Sequence, residues 1–324
     1  MSSYIFKIGQ ISKYKQLVNK LCKSKHAIIL HSDDEILKNA IAKLFVMKNE
    51  CLSENAPCLI CNNCQKVIDE NALDVLWFGK DKPVVVGDSE NIVQDSYVVP
   101  YEFKNKYFIL CNFDSATTQA QNKLLKIIEE PQNFDKYVIL VSNLDSILAT
   151  IKSRCQIFDL PRFSTDELKS IFDYEIGNAK KINFGAEFAS GNLSKLNIIY
   201  NDADFEEIYS LCVKLLTNLK SSANVLEFSY QILKYKEKIE MFLEILSSLY
   251  ADILKVKEGH GELIENSSQI NMFSVLANSF NTQAIIKIVK EIQKVKQKLK
   301  FNANVSSIVD NLLLKILEIN YICK

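Results

Sequence analysis

Four cysteines, Cys51, Cys58, Cys61 and Cys64, are spaced C-x6-C-x2-C-x2-C beside Pro57 and the polar pair Asn62 and Asn63. Each CxxC step brings two thiolates within reach of one metal ion in a tight turn, and four thiolates complete the tetrahedron that zinc accepts. With four protein ligands no coordination position stays open, so the expected role of the metal is structural and not catalytic. A redox pair or incidental surface thiols are the alternative readings. The other cysteines, Cys22, Cys111, Cys155, Cys212 and Cys323, have no such grouping and are expected to be buried.

A second candidate site lies where the apolar run Ala27 to Leu30 feeds through His31 into a helical pattern ending Ala40-Ile41-Ala42-Lys43-Leu44-Phe45. A nucleotide-hydrolysing protein carries GxxxxGK[ST] at such a junction, because glycines let backbone N–H groups approach the phosphates and the hydroxyl binds magnesium. Laid on that template without gaps, Ser32 takes the first glycine position, Leu37 the second, Lys38 the lysine and Asn39 the hydroxyl position. Only the lysine survives. Asp33, Asp34 and Glu35 put carboxylates where a triphosphate would sit, and the same acids read equally well as favourable charge at a helix N-terminus. The run Phe108-Ile109-Leu110 leads to Cys111 and Asn112, where a magnesium-binding acid and a water-activating acid are required, and Asp114 is off register. Both requirements for ATP hydrolysis fail together.

These residues need elements to hold them. Ala27 to Leu30, Tyr107 to Leu110 and Tyr137 to Val141 are short and nearly continuous in hydrophobicity, as buried parallel strands are. Between them run helical patterns, including Gln119 to Glu130, which Pro131 terminates. The alternation predicts an α/β fold with a parallel sheet covered by helices on both faces. Beyond a capping-box signal at Ser164-Thr165-Asp166-Glu167 the strand signals fade, and apolar residues recur at helical spacing from Ile239 to Leu254 and from Val305 to Leu317. Residues 1–162 are therefore expected to form the α/β domain, with the cysteine module at about 51–64. Residues 163–203 are expected to form a small helical domain and 204–324 a helical bundle.

Composition agrees. The 324 residues hold eight glycines where about 23 would be average, which leaves little room for phosphate loops, and no proline follows Pro161, which favours helices in the second half. Thirty-nine basic residues balance thirty-nine acidic ones, excluding a histone-like nucleic-acid binder. The start, MSSYIFKIGQ, has no cationic region followed by an apolar run, and no stretch approaches the ~18 apolar residues of a membrane span, so a cytoplasmic protein is expected. His26, His31 and His260 are scattered and suggest no site.

The segment Thr118-Gln119-Ala120-Gln121-Asn122-Lys123-Leu124-Leu125-Lys126-Ile127-Ile128-Glu129-Glu130-Pro131, followed by Ala149-Thr150-Ile151-Lys152-Ser153-Arg154-Cys155-Gln156, resembles the signature of bacterial sliding-clamp-loader subunits. Their AAA+ domains carry NKLLKxLEEP and then TIxSRCQ, and with the cysteine insertion the resemblance covers residues 1 to about 200. It implies a P-loop-NTPase-like α/β domain, a helical lid and an all-α collar through which subunits assemble. The failed nucleotide motifs resemble those of a non-hydrolysing subunit, a scaffold that binds no ATP, rather than the gamma/tau motor. The resemblance further implies partners: gamma/tau and delta subunits and, indirectly, the sliding clamp and primed DNA, within the DNA polymerase III holoenzyme.

In that family Arg154, with Ser153 and Cys155, would reach as an arginine finger to ATP bound by a neighbouring gamma/tau subunit. Its planar, permanently charged guanidinium suits a transferring phosphoryl group. The alternative is that Arg154 merely pairs with a carboxylate. Near Ala189-Ser190-Gly191-Asn192-Leu193, Ser194 takes the place of a second-sensor arginine, with Lys195 beside it and Gly191 as a turn or cap. Lys287, Lys290, Lys294, Lys296, Lys298 and Lys300 line one helix, and a solvated face is favoured over a DNA-binding strip. Two other functions stay open: a gamma/tau-type ATPase, supported by Lys38 alone, and a zinc-module nucleic-acid binder unrelated to clamp loading.

Overall fold

A computed structural model of the chain describes residues 2–172, 185–186, 188–264, 269–299 and 304–322, so Lys300 and Cys323 lie outside the described residues. The chain divides into two compact units, Met1–Phe163 with Asn192–Ser194, and Ser164–Gly191 with Lys195–Lys324.

The first unit is built on five parallel strands: β1 (Ala27–His31), β2 (Val75–Phe78), β3 (Lys106–Leu110), β4 (Asp135–Val141) and β5 (Gln156–Asp159). Their order across the sheet is β2-β3-β4-β1-β5, with Ile29 opposite Ile139 in β4 and opposite Ile157 in β5. Parallel neighbours require crossover helices, and the sequence supplies them between successive strands. Helices α1 (Ser2–Gln10) and α2 (Ser12–Leu21) precede β1, and α3 (Glu35–Glu50) follows it. Next come α4 (Asn62–Ile68), α5 (Val86–Ser96), α6 (Thr118–Glu129) and the single turn α7 (Ala149–Lys152).

Because side chains alternate along a strand, the sheet buries two faces. Ile29, Phe108, Tyr137 and Ile139 pack against Ile92 of α5, Leu124, Ile127 and Ile128 of α6, and Ile151 of α7. On the other face Tyr107 of β3 meets Phe45 of α3 edge to face, with ring centroids 5.9 Å apart. Ties from side chains hold the loops between elements. Asp74 accepts from the backbone N–H groups of Tyr101, Glu102 and Phe103, and Glu50 accepts from Lys104 N, Asn105 Nδ2 and Tyr107 OH. Gly79, just past β2, has φ +78°, and a Cβ there would lie 2.3 Å from the Cys111 carbonyl oxygen. Glycine is the residue that accommodates this close approach to the end of β3.

The second unit is helical where described. After α8 (Thr165–Phe172) and α9 (Leu193–Asn201), which begins in the first unit, come α10 (Phe205–Asn218), α11 (Ser222–Leu233) and α12 (Ile239–Lys257), followed by α13 (Ile270–Ser279), α14 (Thr282–Leu299) and α15 (Val305–Ile322). The capping box forms as its sequence predicts: Glu167 N donates to Ser164 Oγ and Ser164 N to Glu167 Oε2. Phe242, Leu246 and Ile253 of α12 share one core with Ile285, Ile288 and Ile292 of α14 and Val309, Leu313 and Ile316 of α15. On α14 the lysines Lys287, Lys290, Lys294 and Lys298 are exposed, with Glu291 paired to Lys294 and to Lys315 of α15. Among the described residues no helix is long and apolar enough to cross a membrane.

Candidate functional site

The junction of β1 and α3 sits at the C-terminal edge of the sheet, where open α/β folds bind ligands. An anion site there depends on free N–H groups at the helix N-terminus. In this chain the N–H groups of Asp34, Ile36 and Leu37 are already engaged. Asp34 caps α3, its Oδ1 accepting from Leu37 N at 3.1 Å, while Asp34 N donates to Ser32 Oγ at 3.1 Å. Ile36 N donates to Ser194 Oγ at 2.9 Å, and Lys38 N bonds the Asp34 carbonyl at 3.0 Å.

The residues that close the loop arrive from far along the chain. Leu193 N donates to Asp34 Oδ2 at 2.5 Å, and Ser194 donates to Oδ1 from both N (3.2 Å) and Oγ (2.7 Å). Asn192 Nδ2 donates to the Asp33 carbonyl at 3.2 Å, and Arg162 forms an ion pair with the Asp33 carboxylate at 2.7 Å. A single buried carboxylate, 2% exposed, thus gathers the donors that a phosphate would take. Leu37, at the second glycine position, is buried and fills the loop with a side chain. The sequence places Asp34 as helix-terminal charge and Ser194 as a substituted sensor; their bond spans 160 positions and leaves no local signal.

Lys38 is also diverted. Its Nζ donates to Ser142 Oγ at 2.7 Å past the end of β4, and the residue is 1% exposed. Burial pulls its ammonium below the ordinary lysine range, opposed by the carboxylates of Asp114, Glu35 and Asp34. Asn39 faces Cys111, whose thiol, pushed up to about 12 by burial, stays protonated at neutral pH. Asn112 adopts a left-handed turn (φ 46°) and donates from Nδ2 to the Gly79 carbonyl at 3.4 Å. A neutral thiol and an amide thus stand at this strand end, where magnesium sites carry carboxylates.

Replacing Asp34 by Ala removes the α3 cap and leaves buried donors of Leu193 and Ser194 unpaired. A loss of about 3 kcal/mol or more is expected from the cap and the stranded donors together. Urea denaturation of the two proteins checks this, and a difference below about 1 kcal/mol, one ordinary hydrogen bond, would contradict the assigned network.

Arg154 lies between α7 and β5. Its backbone N–H bonds the Ile151 carbonyl, its Nη1 donates to the Thr150 carbonyl at 2.9 Å, and its Nη2 pairs with Glu129 Oε1 at 3.0 Å. The carboxylate pairing weighed from sequence is therefore present in the isolated chain, with the Arg154 side chain still 32% accessible. Ser153 Oγ donates to the Thr150 carbonyl at 3.0 Å, which closes the turn. Cys155 packs beside the sheet core, and burial lifts its thiol to about 12, so it fills space and is not a nucleophile.

The four cysteines do come together. Cys51 is the C-cap of α3 and Cys61 the N-cap of α4, so the two helix ends carry the loop between them. The four sulfur atoms lie within 4.8 Å of one another, with Cys51 Sγ and Cys61 Sγ 3.9 Å apart. A zinc tetrahedron with Zn–S of ~2.3 Å needs sulfurs ~3.8 Å apart, so the cluster fits a metal with small adjustments. The backbone N–H groups of Ser53 and Cys58 point at Cys51 Sγ (3.4 and 3.3 Å) and that of Cys61 at Cys58 Sγ (3.3 Å), as thiolates require. Burial works against the Cys61 thiolate, but N–H groups of Leu52 and Cys64 bring it down to about 6. This donor set can hold one metal ion.

The strand order, the helices on both faces and the strand–loop–helix junction define an AAA+-type α/β module followed by a helical region. A family model described as DNA polymerase III, delta subunit, matches residues 9–164, and one described as DNA polymerase III, delta subunit, C terminal, matches residues 205–317. The chain belongs to the delta-prime family of DNA polymerase III clamp-loader subunits. It is 25% identical to the DNA polymerase III subunit delta' of Bacillus subtilis (strain 168), over 94% of this chain and 95% of that protein. It is likewise 25% identical to the subunit of the same name from Buchnera aphidicola subsp. Baizongia pistaciae, over 83% of this chain and 84% of that one. A gamma/tau subunit of Mycoplasma pneumoniae is 26% identical over 49% of this chain and 24% of that protein.

Proposed function

We propose that this chain is the non-catalytic scaffold of the clamp loader. In this reading it binds no ATP, takes its place beside gamma/tau and delta subunits in the cytoplasm, and acts on ATP held by a neighbour. The observation that carries the reading is the closed phosphate loop, in which the carboxylate of Asp34 occupies the α3 N-terminus and bonds Leu37, Leu193 and Ser194. An incoming triphosphate would have to break those bonds and meet Asp33, Asp34 and Glu35, each like-charge contact costing about 1 to 4 kcal/mol at ~4 Å.

Arg154 then serves in trans as the arginine finger, with Ser153 and Cys155 fixing the turn that carries it. The four thiolates of Cys51, Cys58, Cys61 and Cys64 would hold a structural zinc that supplies no reactive position. A small helical module, residues 163–203, and a collar, residues 204–324, would place the chain in the ring. Through that ring the complex would load the sliding clamp onto primed DNA, whose contacts with this chain are indirect.

Calorimetric titration of the isolated chain with Mg-ATP tests the reading. No saturable binding is expected up to millimolar nucleotide. Micromolar affinity would instead favour a gamma/tau-type ATPase.

A further inference from the structure

The guanidinium of Arg154 is held at two points, by the Thr150 carbonyl on Nη1 (2.9 Å) and by Glu129 Oε1 on Nη2 (3.0 Å). A guanidinium has five N–H donors in a rigid plane, so two such bonds fix its orientation and leave three donors for a ligand. Thr150 belongs to the same turn as Arg154, whereas Glu129 comes from another element, the last residue of α6. That position runs against helix electrostatics, because an acid in a C-terminal turn meets the negative end of the dipole. The helix gains nothing from Glu129 there. What the carboxylate does accomplish is to tie the one flexible end of Arg154 to the rigid helix that packs on the sheet through Leu124, Ile127 and Ile128.

We propose that Glu129 is the positioning residue for Arg154, an inference that rests on Arg154 acting on a neighbouring subunit's ATP. Glu129 touches no phosphate. It selects the side-chain conformation in which the remaining N–H edge of Arg154 faces outward, and it lowers the entropy lost when that edge meets a transferring phosphoryl group. It therefore affects the chemical step, while ATP affinity stays with the neighbour that holds the nucleotide.

The test is steady-state ATP hydrolysis by the assembled loader containing the wild-type chain, E129A, E129Q, R154A or E129A/R154A. Expected for E129A is a kcat roughly fivefold lower at unchanged KM, with assembly intact by gel filtration. E129Q keeps an oxygen for Nη2 and is expected to recover most of the rate, which a purely structural defect would not allow. The double variant should be no slower than R154A alone.

An E129A rate within twofold of wild type, or losses that multiply in the double variant, would overturn the role of Glu129. If E129A fails to assemble, E129D carries the test by withdrawing the carboxylate by one methylene: a lowered kcat beside a near-normal E129Q supports the proposal, and a wild-type rate refutes it. A normal rate for R154A would instead strike the underlying reading, so the two failures are distinguishable.

Discussion

Purified chain is expected to carry close to one equivalent of zinc, and replacing Cys61 by Ser is expected to strip it and open residues 51–64 to protease. The physical reason is that this segment has almost no core of its own. Of its three large aliphatic residues, Leu52 and Ile60 are 76% and 83% exposed and Leu59 is half-buried, while Cys64 is fully buried. A loop with such poor apolar burial cannot offset the entropy of ordering it, which is about 1 to 2 kcal/mol per residue for the backbone alone. Four thiolates on one ion would supply what packing does not, on the order of 10 kcal/mol for modules of this kind.

The expected loss is local. Val67 of α4 and the apolar face of α3 are buried, so the sheet should persist when the loop opens. Elemental analysis combined with limited proteolysis reads both effects. Less than about half an equivalent of metal, in place of the single ion that four thiolates bind, would contradict the assignment, as would an unchanged cleavage pattern in C61S.

How far such features were legible in the sequence depended on whether the signal is local. The cysteine cluster was fully legible, since its spacing alone brings four sulfurs together. So were β1, β3 and β4, whose runs from Ala27, Tyr107 and Tyr137 are continuous in apolar residues because both faces are covered. The edge strands stand out less. β2 is the four-residue stretch Val75–Phe78, only partly buried, and β5 reads Gln-Ile-Phe-Asp with three of its residues exposed. With one neighbour, β5 has little reason to be apolar and lacks the pattern that reveals the others, whereas β2 reads Val-Leu-Trp-Phe and is apolar throughout but only four residues long.

At the candidate site the sequence identified which residues were lost and not what replaced them. The absent glycines and hydroxyl at Ser32, Leu37 and Asn39 are visible in a linear alignment. The bond from Ser194 to Asp34, the burial of Lys38 against Ser142, and the clasp between Glu129 and Arg154 join distant positions and have no periodicity to announce them. The closed loop is a tertiary substitution: one carboxylate now satisfies the helix end that a phosphate would otherwise fill.

If this chain holds no nucleotide, its effect on hydrolysis must pass through a group offered to a neighbour, which in the proposed reading is Arg154. Truncation to Ala removes a permanently charged donor whose hydrogen bonds to the Thr150 carbonyl and Glu129 lie at an exposed position, so the core should be left undisturbed. Donors that stabilise transition-state charge are worth about a hundredfold or more each when deleted, so the proposed reading expects a large loss at the neighbour's ATP site. R154K keeps the charge but not the planar fork and should recover only a small part.

The most direct measurement is single-turnover ATP hydrolysis by the assembled loader on primed DNA with the sliding clamp, comparing the wild-type chain with R154A. Hydrolysis at the facing site is expected to slow by about a hundredfold while assembly and ATP binding are retained. Hydrolysis at the wild-type rate in every phase would contradict the claim that this chain works through its neighbour's nucleotide.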